Sequence, residues 1–308
     1  IKSLKKAAKQ NVEPEIINRI EQIKKTSLID LRDDFKIYWK NFPVAKLSPG
    51  KDYLKPEIYL IIDDMIDGTD KSNFGIFIQD WLNKKINSDL KSLTDLKNIN
   101  TTNTSIRALA YQLYENNGVI KRENVKLFLK KLSQDERKIL RNIGVKFGRY
   151  HVFLFKLFKP SAVSLRIALW KNFHQKFFDF KPPTFGLNFI YEKKELSKDF
   201  MLLCGFEQFD NFFVRIDILE RLFLNIMNIS NENNKEIKLI PEMLNLLGCS
   251  KENFLKLIKK MDYSFYQKNE DTYFKYSPIK NFKKSFSSKT KTKENPFSVL
   301  KNIKLNNV

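Results

Sequence analysis

Two cysteines and two histidines in 308 residues leave little from which a stapled domain or a metal centre is made. Cys204 and Cys249 lie far apart, and with His151 and His174 they form no ligand set for a structural zinc. So sparing a use of cysteine fits a reducing cytosol, and the expected location is cytoplasmic. No run approaches the ~18 uncharged apolar residues of a membrane span, and the lysine-rich amino end is not followed by an apolar stretch, so neither a span nor a signal peptide is expected. The first residue is Ile rather than Met, which reads as a piece of a longer product.

What is abundant is positive charge. Lys and Arg number 56 against 35 Asp and Glu, a formal net charge of +21. Such a field attracts polyanions and makes their binding depend on salt, and nucleic acid is the expected partner, RNA favoured over DNA. The bland alternative is that a chain so rich in Lys, Asn and Ile reflects an A·T-biased genome. The length suits about two domains at ~150 residues each, with core enough to fold without staples.

The most informative stretch is residues 143–170. Gly144 and Gly148 flank Val145-Lys146-Phe147, where the missing Cβ permits a sharp turn or a close approach. An aromatic run from Tyr150 to Phe158 follows. Lys159-Pro160 breaks it, and a helix is predicted from Pro160 or Ser161 with Leu165, Ala168, Leu169 and Phe173 on one face. Lys146, Arg149, Lys156, Lys159 and Arg166 interleave with Phe147, Tyr150, Phe153 and Phe155, the composition single strands use for stacking and phosphate contact. Burial in a core is the competing reading of so many aromatics. His151 has no Ser, Cys or carboxylate at a compatible spacing and reads as a hydrogen-bonded structural residue rather than a general base.

Elsewhere the pattern is mostly helical. Residues 2–25 read as a helix with Ile16, Ile20 and Ile23 inward. Between Leu28 and Leu47, Phe35, Ile37 and Trp39 alternate with polar neighbours, predicting a β-hairpin turning at Asn41-Phe42 and ended by Ser48-Pro49-Gly50. Residues 56–86 read as helix, as do 82–98, with Ile86, Leu90, Leu93 and Leu96 inward. Thr104 or Ser105 is expected to cap a helix over 106–116 that Gly118 ends, and another helix covers 122–132. Ser133-Gln134-Asp135-Glu136 fits a capping box. Lys181-Pro182-Pro183-Thr184 marks a boundary, and residues 206–228 read as an apolar helix or helix pair.

Asp63, Asp64 and Asp67 resemble half of the DDxxD box of isoprenoid synthases, but a second acidic cluster on a facing helix is missing. Met65 likewise excludes an EF-hand. Solvated helix-end acids are the preferred reading.

Residues 238–276 run helix, tight turn, helix, hairpin: 241–247 stopped by Gly248, 251–261 capped by Ser250, then strands around Asn269-Glu270-Asp271. That order is the layout of a winged helix-turn-helix. Phe254, Leu257, Ile258 and Met261 face inward, leaving Lys251, Asn253, Lys256, Lys259 and Lys260 on a face suited to phosphates or a base edge. A protein-binding scaffold with a merely soluble lysine face is the alternative. From Lys280 onward periodicity is lost among lysines, Ser, Thr and Asn, and a disordered basic tail is expected, with Asn295-Pro296-Phe297, Val299, Leu300 and Ile303 as a short docking motif for a protein partner.

The segment from Gly144 to Trp170 resembles one in the C-terminal region of bacterial superfamily-two ATP-dependent helicases related to the RNA helicase of the mitochondrial degradosome. Its form there is a GV-[RK]-FG-x-YH-[VI]-[FY] turn, a leucine-lysine-proline step and an LR-x-x-LW helix. The likeness extends to Asn41-Phe42-Pro43-Val44-Ala45-Lys46-Leu47 with Pro49-Gly50, Ala108-Leu109-Ala110-Tyr111-Gln112-Leu113, Leu246-Leu247-Gly248-Cys249 and Asn295-Pro296-Phe297-Ser298-Val299-Leu300. The family's motor motifs, a phosphate-binding G-x-x-x-x-G-K-[ST] and an acidic Mg-binding box, are absent. The resemblance therefore implies an accessory region that guides or clamps a strand, with ATP and Mg²⁺ used by a motor upstream in the same polypeptide and no cofactor or catalytic residue in this chain.

The resulting expectation is a mainly α protein with small β-elements: 1–27 a helical connection, 28–181 a helical domain with a β-hairpin, 182–279 winged-helix-like, and 280–308 the tail. The residues expected to contact nucleic acid are Lys146, Arg149, Lys159, Arg166, Lys251, Asn253, Lys256, Lys259 and Lys260.

Overall fold

The computed structural model describes residues 2–26, 28–61, 68–175, 181–191, 197–232 and 236–278, with side chains from Pro14 onward except at 231 and 232. Asp63, Asp64 and Asp67, the basic tail and the 295–303 motif lie outside the described residues.

Helix α1 (Lys2–Lys25) leads into a four-stranded antiparallel meander of β1 (Ile29–Leu31), β2 (Lys36–Trp39), β3 (Phe42–Asp52) and β4 (Lys55–Leu60). Helices α2 (Gly68–Asp89), α3 (Lys91–Lys97) and α4 (Thr104–Glu115) follow. Next come β5 (Val119–Lys121), α5 (Lys126–Lys131), α6 (Gln134–Ile143), β6 (Val145–Phe147) and β7 (His151–Leu154), the strands forming a small sheet in the order β5-β7-β6. After α7 (Pro160–His174), strands β8 (Phe189–Tyr191), β9 (Phe206–Phe209) and β10 (Phe212–Arg215) make a third sheet, with α8 (Lys198–Leu203) between β8 and β9. Helix α9 (Ile216–Glu232), β11 (Ile237–Lys238), α10 (Pro241–Leu247), α11 (Lys251–Lys260), β12 (Tyr263–Lys268) and β13 (Asp271–Tyr276) complete the described chain, with sheet order β11-β13-β12. Helices joined to small antiparallel sheets are thus the architecture.

Where signals are local, sequence and structure agree. Ser133 caps α6 and Glu136 reaches back to the Ser133 N–H, a complete capping box, and Gly144 ends the helix in the left-handed conformation. Ser250 accepts from the Asn253 N–H and starts α11, and Pro160 opens α7.

Several boundaries differ. The expected hairpin is a meander of twice the strand number, and Ser48-Pro49-Gly50 lies inside β3, at a shift in its register against β4. Residues 56–60, read as helix, belong to β4, where Pro56 and Leu60 point inward and Lys55, Glu57 and Tyr59 outward, a period of two. Asn103, not Thr104 or Ser105, caps α4 by accepting from the Ser105 and Ile106 N–H groups. The helix expected over 122–132 begins only at Lys126. Residues 206–215, read as helix, form the β9–β10 hairpin, which turns at Asp210 in a left-handed conformation. β9 buries the adjacent Phe206 and Glu207, and β10 buries Phe212, Phe213 and Val214 in a row, so neither strand shows the alternation that would set it apart from helix.

Two large apolar clusters dominate. One joins side chains from Ile20 to Leu169, the other from Phe212 to Phe274. A smaller cluster of Val163, Ile167, Phe200, Met201, Leu203, Cys204, Phe206 and Phe213 lies on α7, α8 and the third sheet. The β6–β7 turn meets α9 between them.

Candidate nucleic-acid interface

The β6–β7 turn, residues 148–150, is held by one carboxylate. Glu220, buried on α9, accepts from the backbone N–H groups of Arg149, Tyr150 (2.9 Å) and His151 (2.7 Å). Successive N–H groups converging on one anion form a concave nest, here filled from within the chain. Gly148 is required because an added Cβ would run into that carboxylate, with Glu220 Cγ 2.9 Å away. From the other side Arg122 Nη1 donates to the Gly148 carbonyl at 2.6 Å.

His151 is 3% exposed and bonds through both ring nitrogens, Nδ1 to Glu220 at 3.0 Å and Nε2 to Glu207 at 3.2 Å. A neutral imidazole has one N–H, so two carboxylate acceptors call for the imidazolium. Burial opposes that charge, but the two carboxylates outweigh it and hold the pKa above the ordinary 6.5. Burial also works to raise Glu207, yet hydrogen bonds from His151 and Lys121 hold it below its ordinary value. Lys121 Nζ lies 2.7 Å from Glu207. With both nitrogens engaged, His151 has no lone pair to offer a substrate, in line with its structural reading.

Two clefts flank this turn and share Arg122 and Arg149 in their walls. The first, about 480 Å³, is lined by Lys121, Arg122, Lys126, Arg149 and Lys260 with Tyr276, against Glu123, Glu207 and Asp262. The Arg149 guanidinium lies 5.2 Å from the Tyr276 ring centre and 5.9 Å from that of Tyr150. The second cleft, about 540 Å³, is lined by Arg122, Lys146, Arg149 and Arg221, with Phe155 and Leu224 among its apolar walls. Its acids are both engaged: Asp217 takes Arg215 in a two-point pair (2.7 and 2.9 Å), and Glu220 is filled by the turn. Arg122 is turned to the Gly148 carbonyl, while Lys146, Arg149 and Arg221 are exposed, and no carboxylate of the cleft's own walls is left to answer them.

The chain matches no protein-family model, no curated protein and no solved structure. Geometry carries the functional reading.

Of the residues expected at the interface, Lys146 and Arg149 line the second cleft, and Arg149 and Lys260 the first. Lys260 is 3.0 Å from Asp210, and Lys256 is 2.7 Å from Glu252, so these α11 lysines are partly answered at home. Lys251 and Lys259 are exposed on α11, Asn253 is half-buried there, and Lys159 is exposed ahead of α7; none of these lines either cleft. Arg166 is a correction. Its side chain is 0% exposed and donates to the carbonyls of Asn117 (2.8 Å) and Leu203 (2.6 Å), tying α7 to the α4–β5 turn and to α8. Burial pulls its pKa down to about 10, and no nucleic acid can reach it.

Sequence reading missed Lys121, Arg122, Lys126, Arg221, Glu207 and Glu220. One signal was available. Glu220 sits on the buried stripe Ile216, Leu219, Phe223 of α9, and a carboxylate on an apolar helix face requires a partner. The partner's identity was not legible, since His151 lies 69 residues away.

Proposed function

We propose that the chain binds nucleic acid, RNA favoured over DNA, across the two clefts on either side of Arg149. The carrying observation is the second cleft, whose basic side chains come from β5–β7 and α9 while each carboxylate in its wall is consumed by an internal bond. Phosphate contacts of this kind position a strand without reading its sequence. In the same proposal, α9 to β13 form a winged-helix-like unit, supported by the helix–strand–helix–helix–hairpin order and by the β11-β13-β12 sheet. The resemblance of residues 144–170 to helicase C-terminal regions supports a role as accessory region to an ATP-dependent motor.

The test is fluorescence anisotropy of a labelled RNA oligonucleotide against the full chain at low salt. Arg149→Glu and Lys146→Glu together should weaken binding at least ~tenfold, since a charge-assisted hydrogen bond contributes ~1.5–3 kcal/mol. Equal affinity of wild type and double variant sinks the proposal, as does the absence of any binding by the wild type.

A further inference from the structure

The aromatic run 150–158 is sorted by the fold into buried or half-buried rings and one exposed ring. Tyr150 packs edge-on against Phe223 at 4.8 Å, Phe153 is buried with Phe158 edge-on to it at 5.5 Å, and Leu157 is fully buried. Phe147 is half-buried, with Arg141 over its ring at 5.7 Å. Phe155 differs. It follows the last residue of β7, opens a 3-10 turn and stays 50% exposed. The same cleft is lined by Leu224, 58% exposed on α9. Two large apolar side chains left in water, within a cleft rimmed by Lys146, Arg149 and Arg221, form a slot with apolar walls and a cationic mouth.

We infer that this slot takes an unstacked base of a single-stranded nucleic acid between Phe155 and Leu224, while Arg149, Lys146 and Arg221 hold the flanking phosphates. The assignment rests on the nucleic-acid reading above and deepens it to a substrate class. A nucleotide combines the two things the slot offers to meet: a flat apolar face for the ring and an anion attached to it. The volume of about 540 Å³ lies within the range of small-ligand clefts. In a duplex the bases are stacked on one another and offer no free face, so the slot confers preference for unpaired strands.

The experiment compares, for the full chain, the affinity of an unpaired RNA oligonucleotide and of a blunt duplex of the same length, with 2-aminopurine placed in the unpaired strand. Wild type should quench 2-aminopurine on binding and prefer the single strand. Phe155→Ala, at an exposed position that leaves the core intact, should weaken single-strand binding roughly tenfold, abolish the quenching and leave duplex binding unchanged. Phe155→Trp should restore both signals. If Phe155→Ala binds the single strand as wild type does while Arg149→Glu does not, the apolar walls belong to a protein contact: the base slot is overturned and the phosphate track stands. Equal losses on single strand and duplex also overturn the slot. If wild type binds neither oligonucleotide at low salt, the slot and the nucleic-acid reading fall together.

Discussion

At the scale of the residue, Glu220 is the side chain on which the site depends. It neutralises an imidazolium, fills three backbone N–H groups and leaves no room for a Cβ at Gly148. Glu220→Gln should cost ~3 kcal/mol or more in urea unfolding, because it removes one partner of a buried charged pair and sets an amide N–H against backbone donors. The same network makes stability depend on pH with a defined sign. His151 has a folded pKa above its ordinary 6.5, so its contribution is complete below that value and is lost as pH rises through the raised one. Glu207 has a folded pKa below its ordinary 4.5, so its contribution is present above that value and is lost as pH falls through the lowered one. Between these limits both act. Urea midpoints taken at about pH 6 and about pH 9 should fall for wild type and should lose that difference in His151→Gln; an unchanged difference would assign it to other groups. None of this was readable from spacing, since Glu207 and Glu220 stand 56 and 69 residues from His151.

At the scale of the element, the helix ends report which chemistry is local. The α6 box needs only Ser133 and Glu136, three residues apart, and was readable from the sequence. Asn103 does not stand out in the sequence because Thr104 and Ser105 beside it are also good caps, and the choice depends on which residue has extended backbone. Asn103→Ala should therefore cost ~1 kcal/mol in denaturant unfolding and Thr104→Ala under ~0.5 kcal/mol. The reverse ranking would return the cap to Thr104. Strands were less legible. β10 buries Phe212, Phe213 and Val214 in a row and so carries no alternation, and β4 owes its conformation to pairing with β3 along residues 57–60.

At the scale of the whole molecule, the formal net charge of +21 sets long-range attraction but says nothing about where a strand lies. Lysines such as Lys91, paired with Asp95 on its own helix at 2.9 Å, add to that charge without belonging to either cleft. The slope of log affinity against log salt for an RNA oligonucleotide should drop by ~0.7 for Arg221→Ala, one phosphate contact on a single strand, and stay unchanged for Lys91→Ala. A drop of equal size for both would mean diffuse attraction rather than a track. The sequence by itself determined the basic surplus, the caps at Ser133 and Ser250, and the importance of Gly144 and Gly148, because composition and short-range spacing are enough for these. Only the tertiary structure decided that Arg166 is interior, that Phe155 is the exposed ring of its run, and that Asp217 and Glu220 in the second cleft are already engaged. Each of those outcomes turns on side chains brought together from distant parts of the chain, where burial and pairing, not residue type, determine what a charge or a ring is free to do.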